Sequence, residues 1–259
     1  MIRTQDRAES PWASLDVGAG PAARPVALGG DLEPHTLLTA YRHGLYPFPT
    51  DTVEATIVNE LTYEADVEAG RVHVVPGDDP FTVTWWSPDP RPVIRVTEAR
   101  IQRSLRRQLR HRTDWTTTAD TCFDEVVRRC RAGRAQRWLT DGLLHGLSRL
   151  HAQGHAHSVE VWDRDELIGG VFGVRVGAVF SADSQFTLRS GAGKTAVADL
   201  TRRFAEAGGA AVDVQRESEH ARLLGARPVP RSHYLALLSV PTDERPLDTR
   251  RLPADRLAQ

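Results

Sequence analysis

Between His157 and Phe186 the chain adopts a two-residue period. HSVEVW, LIGGVFGVRV and AVFSADSQF alternate in character and are separated only by turn residues at Asp163 to Glu166 and at Gly177. Alternation sends successive side chains to opposite faces, and such short connections join only antiparallel neighbours, so the three runs predict a meander. Gly169 and Gly170 in the middle run mark a bulge or a close backbone approach. GAGKT, Gly191 to Thr195, then starts a helix with Val197, Leu200 and Phe204 on one face. AAVDVQ, Ala210 to Gln215, reads as a short buried strand after it. Residues two apart share a strand face, so Asp213 and Gln215 point the same way. Either they form a polar site at the strand end, or Asp213 caps the next turn and Gln215 is solvated.

With 259 residues the chain can form one large domain or two small ones. A net charge of −1 gives no global attraction to nucleic acid or membrane, so any polyanion site must be local. No apolar run reaches the length of a bilayer span, and Asp6, Glu9 and Asp16 argue against a signal peptide. Two cysteines, Cys122 and Cys130, make no disulfide framework, which predicts a reduced, cytoplasmic protein.

Residues 1–26 lack periodicity and read as a loose arm. Asp31 is a candidate N-cap for a helix with Leu37, Leu38 and Tyr41 on its apolar stripe, ended by Gly44. Residues 50–80 are acidic, rich in Thr and Val and without clear period, as in an inserted excursion. WWSPDPR, Trp85 to Arg91, describes a rigid aromatic turn with Arg91 held at its end. RIQRSLRRQLRHR, Arg100 to Arg112, carries six arginines, one histidine and no acid. Ile101, Leu105 and Leu109 make one face apolar and leave the arginines for another, either solvated or set against phosphates. Asp120 is a candidate cap for a helix in which Cys130 is a core residue. His151, His155 and His157 share no helical face and have no partner at ligand spacing, so no metal is expected. GAGKT lacks the glycine that a phosphate-binding loop would need at position 188, where Leu188 stands. The last stretch, 241–259, reads as a flexible tail.

GGDL, WWSPDPR, the WLT after the arginine-rich loop, HAHSVEVW, the ADSQF strand end, GKTA, DVQ and LGA with the PR that follows it occur in order from about Leu28 to Tyr234. Together they closely resemble the leucyl/phenylalanyl-tRNA–protein transferase family, with one insertion. The resemblance implies an α/β (α+β) fold with a small N-terminal domain at 27–95 and an acetyltransferase-like (GNAT-type) catalytic domain at 96–240, built on a mixed, largely antiparallel sheet. It implies transfer of an amino acid from aminoacyl-tRNA to the N-terminal amine of a protein beginning with Arg or Lys, marking it for degradation. Asp213 and Gln215 match the family's catalytic D-C-Q, with Val214 in place of cysteine, and Asp183 stands where the family has glutamate. The implied aminoacyl pocket is Trp138, Val171, Phe180, Gln185, Val197, Leu200 and Phe204, with Gln185 replacing methionine. Phe48 replaces a tryptophan and Arg137 a threonine. Arg110 and His111 fall at a basic tRNA-contacting pair, extended on the same helix by Arg103, Arg106 and Arg107.

An aminoacyl ester is already activated, so amide formation needs neither metal nor nucleotide, and no cofactor is expected. The site must align two substrates, take a proton from the amine and stabilise an oxyanion. Gln215 would orient the amine by accepting its hydrogen bond, Asp213 would fix and polarise that amide, and Asp183 would bind an amino group of donor or acceptor. The partners are then an aminoacyl-tRNA and an acceptor protein or peptide, with no membrane and a monomeric enzyme. A buried Gln185 amide must be paired, which suggests altered donor specificity. Two other readings are tRNA-dependent transfer to a small-molecule acceptor and a non-catalytic RNA-binding protein. An acyl-CoA transferase lacks its cofactor loop before Lys194.

Overall fold

The computed structural model describes residues 10–111, 113–132, 138–243 and 245–259. Arg112 and Arg137 lie outside them. The chain forms two sheets with helices against them. The smaller has the order β2-β4-β1-β3, from β1 (Ala27–Gly29), β2 (Tyr46–Pro49), β3 (His73–Val75) and β4 (Val83–Trp86). Two helices interrupt it, α1 (Pro34–Arg42) and α2 (Val53–Glu68).

The larger sheet has eight strands in the order β11-β5-β10-β9-β8-β7-β6-β12. They are β5 (Arg91–Arg95), β6 (Thr116–Ala119), β7 (Ala156–Asp163), β8 (Glu166–Val176), β9 (Val179–Thr187), β10 (Ala211–Asp213), β11 (Arg227–Val229) and β12 (Leu252–Pro253). In this sheet only β10 and β9 run parallel among the described residues, and α6 provides the crossover that such a pair needs; the other neighbours are antiparallel. The sheet is thus mixed and largely antiparallel, and the chain is α+β. Among the described residues six helices belong to this half: α3 (Arg103–His111), α4 (Phe123–Arg131), α5 (Asp141–Ala152), α6 (Ala192–Glu206), α7 (Glu219–Leu223) and α8 (Arg231–Leu238).

β7, β8 and β9 form the expected meander, with Arg164 and Gly177 at positive φ in its turns. Gly169 marks a close approach: a Cβ there would lie 2.9 Å from the Ala192 carbonyl carbon at the start of α6. Val197, Leu200 and Phe204 of α6 turn onto the sheet and join a core with Phe180, Val171 and Val212. Cys130 is buried in a second core with Leu143, Leu147 and Phe172.

Several expectations are corrected. Residues 10–26 are anchored, because Trp12 is fully buried, stacks edge-on against Trp85 at 4.7 Å and donates to the Thr36 carbonyl. Of the expected tail, residues 245–259 are anchored too, since β12 closes the sheet edge and Leu257 and Ala258 are buried. β5 lies before the expected boundary at 96 but belongs to the large sheet. Residues 53–68 form a helix rather than an irregular excursion. Neither proposed cap operates: Asp31 accepts from the Glu33 N–H, while Asp120 accepts from the Ser158 N–H and faces His157.

Candidate active site

The site grows from the end of β10. Asp213 is fully buried between β5 and β9, and Arg91, equally buried, meets it from the neighbouring strand. Nε donates to Oδ1 at 2.9 Å and Nη2 to Oδ2 at 2.6 Å, a bidentate charge-assisted pair. Two charges without water are stable only if their remaining polar positions are filled. Here Tyr234 Oη and Ser181 Oγ donate to Asp213 at 3.1 and 3.3 Å, and Arg91 donates to the Gly44 carbonyl. The guanidinium also lies 4.8 and 4.5 Å from the ring centres of Tyr46 and Tyr234. Burial alone would lower the Arg91 pKa, but the Asp213 charge more than offsets this and raises it. Burial, with Asp213 beside it, pushes the Tyr234 phenol well up.

Asp213 Oδ1 also accepts the backbone N–H of Gln215 at 2.8 Å. That bond closes a tight turn in which Gln215 has a φ of 59°, the left-handed region that costs a non-glycine residue energy. The turn brings the Gln215 amide back onto the sheet, where Nε2 donates to Asp183 Oδ1 at 2.6 Å and to Ser181 Oγ at 3.2 Å. The direct Asp213–amide bond expected from the D-x-Q spacing is therefore replaced. Asp213 fixes the backbone of Gln215, while Ser181 and Asp183 fix its side chain. Both amide hydrogens point at acceptors, which leaves the amide oxygen as the end that can accept. Tyr41 of α1 donates to Asp183 Oδ2 at 2.7 Å. Burial raises the Asp183 carboxyl to about 7; the Asp213 charge adds to this, while the Tyr41 and Gln215 hydrogen bonds oppose it.

Asp183 opens into a cavity of about 270 Å³ lined by Val171, Gln185, Val197, Val214, Arg216 and His220, among others. Three of the seven expected pocket residues, Val171, Gln185 and Val197, reach it. Phe180, Leu200 and Phe204 are fully buried behind its wall, with the two phenylalanines edge-on at 5.8 Å. Trp138 lies elsewhere, stacked on Phe48 at 5.8 Å. Arg216 spans the gap, its guanidinium 5.3 Å from the Phe48 ring centre and 5.5 Å from that of Trp86. Gln185 Nε2 lies 2.6 Å from His220 Nε2, so the amide has a partner within the protein. Burial lowers the His220 pKa, and nearby Lys194 adds to this, which favours the neutral ring that such a bond requires.

On α3, Leu105 and Leu109 are buried and Arg103, Arg106, Arg107, Arg110 and His111 are exposed. Arg110 donates to the Ala258 carbonyl. Arg100, Arg106 and Arg202 line a recess of about 260 Å³ that shares Val197 and Leu224 with the first cavity. His151 faces the Ala156 carbonyl and stacks on Phe123, while His157 faces Asp120. Spacing missed Tyr41, Ser181, His220 and Tyr234, and it placed Arg91 without its partner. Those partners lie up to 142 residues away and leave no local pattern.

A family model described as leucyl/phenylalanyl-tRNA protein transferase matches residues 93–239. A leucyl/phenylalanyl-tRNA–protein transferase of Xanthomonas axonopodis is 37% identical over 81% of this chain and 74% of that protein. The namesake of Shewanella piezotolerans is 37% identical over 82% and 79%. That of Escherichia coli O157:H7 is 36% identical over 83% and 80%. A solved structure of a functionally unknown protein from Staphylococcus epidermidis matches 54% of this chain and 56% of that one, at 10% identity and a TM-score of 0.34, a likeness too slight to bear on the fold.

Proposed function

The chain belongs to the leucyl/phenylalanyl-tRNA–protein transferase family and is an aminoacyltransferase, and from that premise we propose that it moves a leucine- or phenylalanine-like residue from aminoacyl-tRNA to the N-terminal amine of a protein beginning with Arg or Lys. The observation that carries this reading is the hydrogen-bonded chain from Arg91 through Asp213, Ser181, Gln215 and Asp183 to Tyr41, set beside a cavity with one apolar wall of Val171, Val197 and Val214.

Each link has a task. Arg91 and Asp213 hold the turn that carries Gln215, whose amide oxygen accepts a hydrogen bond from the attacking amine. The amine nitrogen bonds to the ester carbonyl carbon, the carbon–oxygen bond to the tRNA ribose breaks, and a proton passes from the amine to the leaving hydroxyl. A carboxyl near 7 is poised to take that proton and return it, and Asp183 is the one beside Gln215. Val171 and Val197 face the donor side chain, and with Gln185 already bonded to His220 the pocket has no strong demand for a polar donor. The arginines of α3, near the recess that adjoins this cavity, meet the tRNA phosphates. The enzyme works as a monomer in the cytoplasm, where charged tRNA is found, with the half built on the small sheet and the half built on the large sheet joined through a common core.

Incubation with radiolabelled leucyl- or phenylalanyl-tRNA and a peptide beginning with Arg tests the proposal. Label should enter the peptide as an N-terminal amide and fail to enter the same peptide acetylated at its N-terminus. Equal transfer to an unrelated small amine would sink the assignment of acceptor.

A further inference from the structure

Helix α2 reverses the usual arrangement of a surface helix. Its inward side is polar: Asn59 donates to the Phe81 carbonyl at 2.8 Å, and Asp66 is buried against Arg24 and Arg71. Its outward side carries apolar side chains among glutamates, with Val53 72%, Ile57 46%, Val58 60% and Leu61 78% exposed. Ile57 and Leu61 lie four apart and so share a face, opposite Asn59 and Asp66. Single exposed apolar side chains are ordinary, whereas four on one helix mark a contact surface.

Charge narrows the occupant. The helix carries five carboxylates and no cation, and Glu54, Glu60, Glu64 and Glu68 make no ion pair among the described residues. A second copy docked α2 to α2 would set these glutamates against each other. The basic face of α3 offers no exposed apolar side chain to cover Ile57 and Leu61. The partner must combine apolar side chains with Lys or Arg. Position supplies the rest. Val53 is only five positions along the chain from Phe48, whose ring lies under Arg216 at the cavity. That chain spans at most ~17 Å, a gap that about five extended residues of a bound polypeptide would also cover.

We propose that the exposed face of α2 is a docking surface for the acceptor polypeptide, engaging a segment of mixed apolar and basic residues that follows its N-terminal residue. This rests on the reading that the acceptor is a protein. The N-terminal amine enters the site while the following segment lies along α2, so long acceptors are held by two contacts and short ones by one.

The full chain is assayed with two labelled Arg-initiated peptides, one of about four residues and one of about fifteen with leucines and lysines downstream, the longer able to reach α2. Ile57→Gln with Leu61→Gln should raise KM for the long peptide ~10-fold, leaving its kcat and the short peptide's kinetics unchanged. Glu60→Gln with Glu64→Gln should weaken the salt dependence of long-peptide binding, read by fluorescence anisotropy. Equal effects on both peptides, or none on the long one, overturn the proposal. So does a dimer of the parent in sedimentation that the Ile57/Leu61 variant abolishes, which would assign the surface to a second copy. If long-peptide binding depends on α2 but neither peptide is aminoacylated, the docking surface stands and the assigned acceptor reaction fails.

Discussion

Asp183 is the residue on which a pH dependence can be read. With its carboxyl raised to about 7 by burial, it is mostly protonated at pH 6 and mostly ionised at pH 8. A base must be ionised to act, so kcat/KM should rise with pH through about 7. In Asp183→Asn that limb should vanish from the pH profile, leaving only the acceptor amine's own titration near roughly 8. The same shift acts on stability with the opposite slope. Between about 4, where an unfolded Asp releases its proton, and about 7, where the folded one does, the folded protein holds the extra proton. Stability from this group is therefore greatest below about 4 and falls as pH rises to about 7. Gln185 supports a second prediction. His220→Ala deletes the 2.6 Å bond to the Gln185 amide nitrogen, a loss of ~0.5–1.5 kcal/mol. Transfer from leucyl-tRNA should fall by ~10-fold or more in kcat/KM, and Gln185→Met in the same chain should restore most of it, since the amide is then gone. An unchanged double variant would show that His220 acts on the donor directly. At this scale the sequence brought Asp213 and Gln215 together as a pair but misjudged how: Gln215 lies beyond the end of β10 in a left-handed turn, so the two meet through that turn and not through the two-residue period of a strand. It could not disclose the Arg91 bond to Asp213 or the Tyr41 bond to Asp183, for which only the assembled sheet provides the distances.

Among the elements, α3 and α2 present opposite problems. The apolar stripe of α3 lies on the core and its arginines lie outward, so its period was legible. Replacing Arg106 and Arg107 with Gln should flatten the plot of log affinity for tRNA against log salt by roughly 0.7–0.9 per lost phosphate contact. Arg110→Gln should flatten it less, since that side chain already serves the Ala258 carbonyl. Filter binding across a salt series checks both, and an unmoved slope would make α3 a merely solvated face. Helix α2 escaped the reading of the sequence because Val53, Thr56, Ile57, Val58, Thr62 and Val67 are β-branched, which disfavours a helix locally. Its apolar residues also face solvent, so no inward stripe announces it. The meander was legible for the converse reason, in that each strand alternates and each turn carries its own signal.

For the molecule as a whole, the two sheets share one core. Trp12 and Trp85 pack in the same cluster as Phe123, Leu147 and Phe172 from the half built on the large sheet. Trp12→Ala should therefore cost ~3–5 kcal/mol and lower a single cooperative transition in urea rather than reveal a separate N-terminal one. Resolution into two transitions would mean that the halves fold independently. Composition hid this anchor, since a lone tryptophan among Pro, Ala and Gly shows no period. The Arg91–Asp213 pair joins residues 122 apart, and this fixes an order of assembly. Strands β7 to β9 meet through short turns and should close early; β10 can join β9 through α6, but its pairing with β5 must wait until the entropy of closing that long separation has been met. A refolding chain should then pass first through a sheet without the Arg91–Asp213 clamp. Until Asp213 is clamped nothing turns Gln215 towards Asp183, so a half-made enzyme is inert towards charged tRNA rather than wasteful of it.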